Sequence, residues 1–238
     1  SYSGPTSMGK SFIMRMFIKE HIQSGDVFNY VILVPTKALI NEVSSKITID
    51  LKELLAEHDY KIVTSAGALA LKEKHNFIFV LTPERFLYMM IDHSDINIDY
   101  LFVDEAHKIS SKDDRSTFYY KVIDMACRRE VKPHVIFASP NIPNPSVYLK
   151  LVPDAEFIET STFASTYAPV SQVKFYIDYK EDEISFYNDH TKQFSYVGNI
   201  PQNDVIDLIK SVGRNGQNLV YCSSTNQAIT LALEYAKK

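Results

Sequence analysis

The sequence lacks a basic excess, a long apolar run and any clustering of cysteines, and each absence narrows what it can be. Its net charge is -4 over 238 residues. A protein held mainly by attraction to a phosphate backbone is usually basic, so any nucleic-acid contact must be local or come from other parts of a larger protein. No stretch approaches the ~18 apolar residues that span a bilayer, and no signal-peptide pattern opens the chain, so no membrane role is expected. The two cysteines, Cys127 and Cys222, lie far apart in sequence with no metal-ligand spacing. A reducing, cytoplasmic compartment is the simplest expectation. Internal repeats and low-complexity segments are also missing. What is present is ordinary globular composition, 45% hydrophobic and 23% charged, enough for one large domain or two small ones.

Short apolar runs alternate with longer amphipathic stretches. Tyr30 to Val34, Lys61 to Val63, Phe77 to Leu81, Tyr100 to Val103, Val135 to Ala138 and Leu219 to Tyr221 are rich in Val, Ile, Phe and Tyr and read as strands. Their near-continuous hydrophobicity predicts burial on both faces. Helical patterns such as Lys10 to Ile22 and Thr36 to His58 lie between them, so the fold class is α/β, a parallel sheet flanked by helices. Small polar or acidic residues follow most of the runs: Pro35-Thr36, Thr64 to Gly67, Thr82 to Glu84, Asp104-Glu105 and Ser139 to Asn141. The carboxyl edge is where open α/β sheets bind ligands, and five such junctions on one edge predict a site. The Ser- and Thr-rich segment from Thr160 to Pro169 reads as a linker, dividing the chain into domains at 1–162 and 163–238. Beyond it, Val173 to Tyr179, Glu183 to Tyr187 and Gln193 to Val197 read as short antiparallel strands, followed by helices from Asp204 and Thr225. The aromatic residues between Phe175 and Tyr196 are better read as strand formers than as a platform for stacking bases.

Gly4-Pro5-Thr6-Ser7-Met8-Gly9-Lys10-Ser11 matches G-x-x-x-x-G-K-[ST], the phosphate loop or Walker A pattern. Glycines let the backbone curl so that its N–H groups face a phosphate chain, and the following helix adds its positive dipole end. Lys10 would reach the β- and γ-phosphates of ATP, and the Ser11 hydroxyl would bind Mg²⁺. Average residue frequencies would produce this pattern in roughly one in a hundred chains of this length. Asp104-Glu105-Ala106-His107 follows an apolar run, as a Walker B segment does. An aspartate at a buried strand end is placed to hold Mg²⁺ through water, and Glu105 beside it can orient and deprotonate an attacking water. Read alone, the acidic pair could equally begin a helix, where negative charge is favoured. The phosphate loop tips the reading toward catalysis.

With these motifs in place, nearly the whole chain resembles superfamily 2 helicases of the DEAD/DEAH-box, DExH type, close to the Ski-like and Lhr-like branch. Pro35 to Glu42 is similar to motif Ia, Thr82 to Phe86 to motif Ib, Asp104 to His107 to motif II, Ser139 to Asn144 to motif III and Tyr221 to Thr225 to motif IV. The resemblance implies a RecA-like domain over 1–162 that lacks its first strand, since only Ser1 to Ser3 precede Gly4, and the start of a second over 163–238. It implies an ATP-hydrolysing helicase or translocase, with Lys10, Asp104, Glu105 and His107 catalytic. It also implies DNA or RNA as partner, held through Thr36, Lys37, Thr82 and Arg85, with Ser139 and Asn141 coupling hydrolysis to strand binding. Thr64 to Gly67 is a further candidate backbone-contact loop. Motif III departs from the family pattern: Pro140 and Asn141 replace the usual Ala and Thr, and Pro removes a backbone donor. An ATPase switch or clamp that remodels complexes without unwinding is the alternative. Motifs V and VI, with their arginine finger, do not occur in the sequence, so the resemblance implies a piece of a longer helicase with weak ATP turnover by itself.

Overall fold

The structure is a computed structural model that describes residues 1–4, 9–65, 67, 75–110, 115–140, 142, 144–153, 159–165, 172–200, 204–213 and 218–237. The chain divides into two compact units, Ser1–Val170 and Ser171–Lys238. In the first unit, strands β1 (Tyr2–Ser3), β2 (Tyr30–Leu33), β3 (Tyr60–Val63), β4 (Asn76–Leu81), β5 (Tyr100–Val103), β6 (His134–Ser139) and β7 (Phe163–Ala164) form one seven-stranded sheet. Its order is β3-β4-β2-β5-β6-β1-β7, and every pairing is parallel. Helices α1 (Lys10–Gln23), α2 (Lys37–Glu57), α3 (Pro83–Asp92) and α4 (Ser116–Cys127) supply the crossovers and cover.

Successive strand side chains point to opposite faces, and here both faces are buried. Val31 and Leu33 of β2, Phe77, Phe79 and Leu81 of β4, and Leu101 and Val103 of β5 pack with α3 and α4 residues such as Phe86 and Val122. Tyr30, Ile32, Val34, Ile78, Val80 and Phe102 pack with Ile18 and Ile22 of α1 and Ile40 and Ile47 of α2. That is why the central strands read as continuous apolar runs: no face is left for polar residues. The expected α/β class, a parallel sheet flanked by helices, is the class observed.

Several expectations change. The first strand is not lacking. Tyr2–Ser3 is a two-residue strand held on both sides, by β6 and by β7, and the Gly4 amide donates to Ser139 O at 3.2 Å. Ser3 is a buried polar residue, made tolerable there because its hydroxyl donates to Pro140 O at 3.0 Å. Phe163–Ala164, inside the segment read as a linker, is a strand of the same sheet, with Phe163 stacked on Tyr2 at 5.4 Å. The first unit therefore runs past the expected boundary at 162.

The second unit holds an antiparallel three-stranded sheet in the order β10-β9-β8, with β8 at Lys174–Asp178, β9 at Glu183–Asn188 and β10 at Gln193–Asn199. Its aromatics pair across strands: Phe194 faces Tyr187 with ring centroids 5.0 Å apart. Helices α5 (Val205–Gly213) and α6 (Thr225–Lys237) follow. Leu219 to Tyr221 is not a strand. Leu219 and Tyr221 are 98% and 94% exposed, and a strand exists only through a partner's hydrogen bonds, which none of the described residues supplies.

Asn29, just before β2, ties the amino ends of three strands together. Its side-chain oxygen accepts from the Phe77 amide at 2.8 Å, its side-chain nitrogen donates to Asn97 O at 3.0 Å, and its amide donates to Asp99 Oδ2 at 2.7 Å. Asn29→Ala leaves a partly buried Phe77 N–H without its partner, which costs about 1–3 kcal/mol. We expect the urea midpoint of the first unit's transition to fall accordingly, with the urea dependence of its stability unchanged.

Candidate functional site

Because all seven strands run the same way, their carboxyl ends share one edge, and the residues singled out from sequence follow those ends. Pro5, Thr6, Ser7, Met8, Ala66, Asn141 and Pro143 lie outside the described residues; the rest can be located. Gly9 precedes α1 with φ of 80°, a left-handed conformation that glycine adopts at no steric cost, and its carbonyl accepts from the Ile13 amide at 2.9 Å. Lys10 is 7% exposed, and its ammonium donates to Gly4 O at 3.1 Å, so the side chain bridges the two ends of the loop from which it springs.

Asp104 follows β5, and its amide donates to Leu33 O at 3.0 Å. The Ser11 hydroxyl reaches Asp104 Oδ2 at 3.5 Å across 93 residues of sequence, while Asp104 Oδ1 accepts from the Glu105 amide at 3.0 Å. Burial first, and the neighbouring Glu105 charge second, push the Asp104 carboxyl up to about 6, against the opposing pull of the Glu105 amide, Lys10 and Ser11. Glu105 itself has a left-handed backbone, φ 53°. His107 stands in the short 3₁₀ turn Ala106–Ser110, with Nδ1 3.1 Å from Glu105 Oε2 but not aligned for a hydrogen bond. Burial lowers its pKa, outweighing the Glu105 charge that would raise it, which favours the neutral imidazole at pH 7.

A cleft of about 450 Å³ joins these groups to the α2 wall: Ser11, Thr36, Asp104, Glu105 and His107 all line it. Thr36 caps α2, its hydroxyl accepting from the Leu39 amide at 3.3 Å, and Lys37 begins that helix. Thr82 is buried and caps α3, its hydroxyl accepting from the Arg85 amide at 3.5 Å. The Arg85 guanidinium donates to Thr64 O at 2.6 Å, so the junctions after β3 and β4 are connected. Ser139, 1% exposed at the end of β6, lies apart from the cleft lining and touches the loop through its carbonyl bond to Gly4.

No group of three or more His, Cys, Asp or Glu able to hold a metal occurs among the described residues. One carboxylate and one hydroxyl, Asp104 and Ser11, are a donor set for a hard cation that takes its remaining ligands from water and a phosphate. Sequence reading missed two arginines. Arg15 donates to Ser11 O at 3.0 Å and pairs with Asp50 at 2.6 Å; its position one turn after Ser11 on a helix was the available signal. Arg115 pairs with Glu84 at 2.6 Å, 31 residues away, with no signal in sequence. Both cysteines are free thiols, and among the described residues no helix is long and apolar enough to cross a membrane.

Asp104 yields a prediction with a definite sign. Its folded pKa of about 6 lies above the ordinary aspartate value of 3.8, so its contribution to stability is full below about pH 4 and is lost as pH rises through 6. Asp104→Asn is therefore expected to melt roughly 2–6 °C above wild type at pH 8, with the difference closing by pH 4. Melting curves across that range check it; equal melting temperatures at pH 8 would mean the buried charge carries no cost.

Comparison with known proteins identifies the fold and the family. Two solved structures of the DUF1998 helicase MrfA, one bound to DNA and one to DNA and AMPPNP, share the fold. The first superposes with a TM-score of 0.54 at 16% identity over 69% of this chain and 25% of that one. The second gives 0.53 at 18% identity over 68% and 24%. The chain thus spans about a quarter of the length of either, and the sheet has the architecture of a RecA-like helicase domain. Comparison with curated protein sequences gives no match. Residues 2–146, more than half of the chain, match the DEAD/DEAH box helicase family, and the chain belongs to that family.

Proposed function

We propose that the chain is the ATP-hydrolysing part of a DEAH-type nucleic-acid helicase or translocase, coupling Mg-ATP hydrolysis to movement along, or unwinding of, DNA or RNA. The observation that carries this reading is the approach of Ser11 to Asp104, 3.5 Å apart, beside Lys10 and Glu105 at one sheet edge. Lys10 would hold the β- and γ-phosphates of a nucleotide bound at Gly4 to Ser11. Glu105 would orient and deprotonate the attacking water, with His107 beside it. Ser11 and Asp104 fit a magnesium ion, because a buried carboxylate crowded by a second one favours a cation in place of a proton. When bound, Mg²⁺ supplies neutralisation of the charge that gathers on the transferring phosphoryl group. Thr36, Lys37, Thr82 and Arg85 would meet the sugar–phosphate backbone, contacts that position a strand without reading its sequence. Ser139 and Asn141 would couple the two events. The DNA and AMPPNP bound in the related helicase structures support a nucleotide and a nucleic-acid strand as ligands.

A second reading, a nucleic-acid-dependent ATPase that remodels complexes without unwinding, draws on Pro140. That residue has no N–H to offer, and its carbonyl is taken by Ser3, so motif III has less to exchange between nucleotide and strand. Strand displacement by the protein carrying this domain separates the readings.

Two substitutions test the chemistry. Lys10→Ala removes the main positive partner of the phosphates, and ATP affinity should fall about 10- to 100-fold. Glu105→Gln should bind ATP as wild type does and turn it over about 10²-fold or more slowly, since an amide cannot act as a base. Equal turnover by wild type and Glu105→Gln would remove Glu105 from the mechanism.

A further inference from the structure

Arg115 immediately precedes α4 but makes no side-chain cap there; its guanidinium serves two other elements. Nε and Nη2 donate to the two oxygens of Glu84 at 2.6 and 3.1 Å, and Nη1 donates to Pro35 O at 2.6 Å. Pro35 adjoins Thr36, the cap of α2, and Glu84 is two residues past Thr82, the cap of α3. One planar group therefore joins the two turns through which a strand would be held. The fork geometry matters, because a bidentate carboxylate pair plus a third donor fixes direction as well as distance. Glu84 registers the grip. Burial alone would raise its carboxyl, yet hydrogen bonds from Arg115, Thr82 and its own amide outweigh that and hold it at about 2. One turn along α4, Tyr119 is 2% exposed, and its hydroxyl has no hydrogen-bond partner among the described residues. Burial raises that hydroxyl to about 12, and the charges of Arg115, Glu84, Asp104 and Glu105 all act on it.

We infer that Arg115 is a positioning residue that fixes the Pro35–Thr36 turn relative to the Thr82–Glu84 turn and so sets affinity for the backbone of a single strand. This rests on the function proposed above. Two binding turns held in register act as one preorganised site, whereas two that drift must be ordered by the ligand at a cost in affinity. Lysine cannot stand in, since a single ammonium does not span a carboxylate and a carbonyl with fork geometry.

The test uses the 238-residue chain with fluorescent single-stranded oligo-dT and oligo-U. Arg115→Lys and Glu84→Gln should each weaken binding about 5- to 10-fold, and the double variant should be no weaker than the weaker single one, because both break the same clamp. ATP affinity of Arg115→Lys without nucleic acid should stay within about twofold of wild type, a split that general loosening of the fold would not give. Lys37→Glu and Arg85→Glu serve as controls on the surface itself. If these weaken binding while both clamp variants bind as wild type does, the positioning role is overturned and the proposed function stands. Loss of ATP affinity in proportion to strand affinity would also overturn it. If wild type binds neither oligonucleotide, the proposed strand-binding function fails, and the positioning role with it.

Discussion

Parallel pairing is the constraint on which the rest of the first unit depends. A parallel strand cannot return by a hairpin, so each connection must cross the sheet, and helices fill that distance. The helices bury both faces of the sheet, and burial forces the strands to be apolar throughout. Polar chemistry then has one place left, the rim where the strands end. The loop before α1, the acidic pair after β5, the capped starts of α2 and α3 and the serine ending β6 all fall there. Ser11 and Asp104 meet across 93 residues because topology leaves them nowhere else to be.

That placement sets stability against readiness. A carboxylate with 6% exposure beside another acid is an unfavourable arrangement by itself, tolerable in a unit with a large two-sided core. The hydroxyl of Ser11 and the amide of Glu105 moderate the charge without satisfying it. A group left in that condition favours whatever brings positive charge, and sites of this kind collect perturbed pKa values for that reason.

The central strands were legible because burial on both faces writes itself into consecutive residues. Leu219 to Tyr221 carries the same signature without forming a strand: apolar sequence records a capacity to pair, and only the fold supplies the partner. The opposite failure occurred at Tyr2–Ser3 and Phe163–Ala164, too short for any periodicity, which exist because Tyr2–Ser3 lies between β6 and Phe163–Ala164. Lys10, Ser11, Asp104 and Glu105 stand out in sequence because the chemistry proposed for them asks for neighbours in sequence. Arg115 and Glu84 were not, since they depend on two separate turns arriving side by side.

The left-handed backbone at Glu105, φ 53°, has a consequence for how the site withstands thermal breathing. Consecutive residues of a continuing strand point to opposite faces; this turn, at a cost of about 1–2 kcal/mol, sends two consecutive acids into a single cleft. One peptide unit fixes the spacing of their backbones. Both acids hang from the same end of β5, with Asp104 Oδ1 tied to the Glu105 amide at 3.0 Å, so a shift of that strand carries the two backbones together.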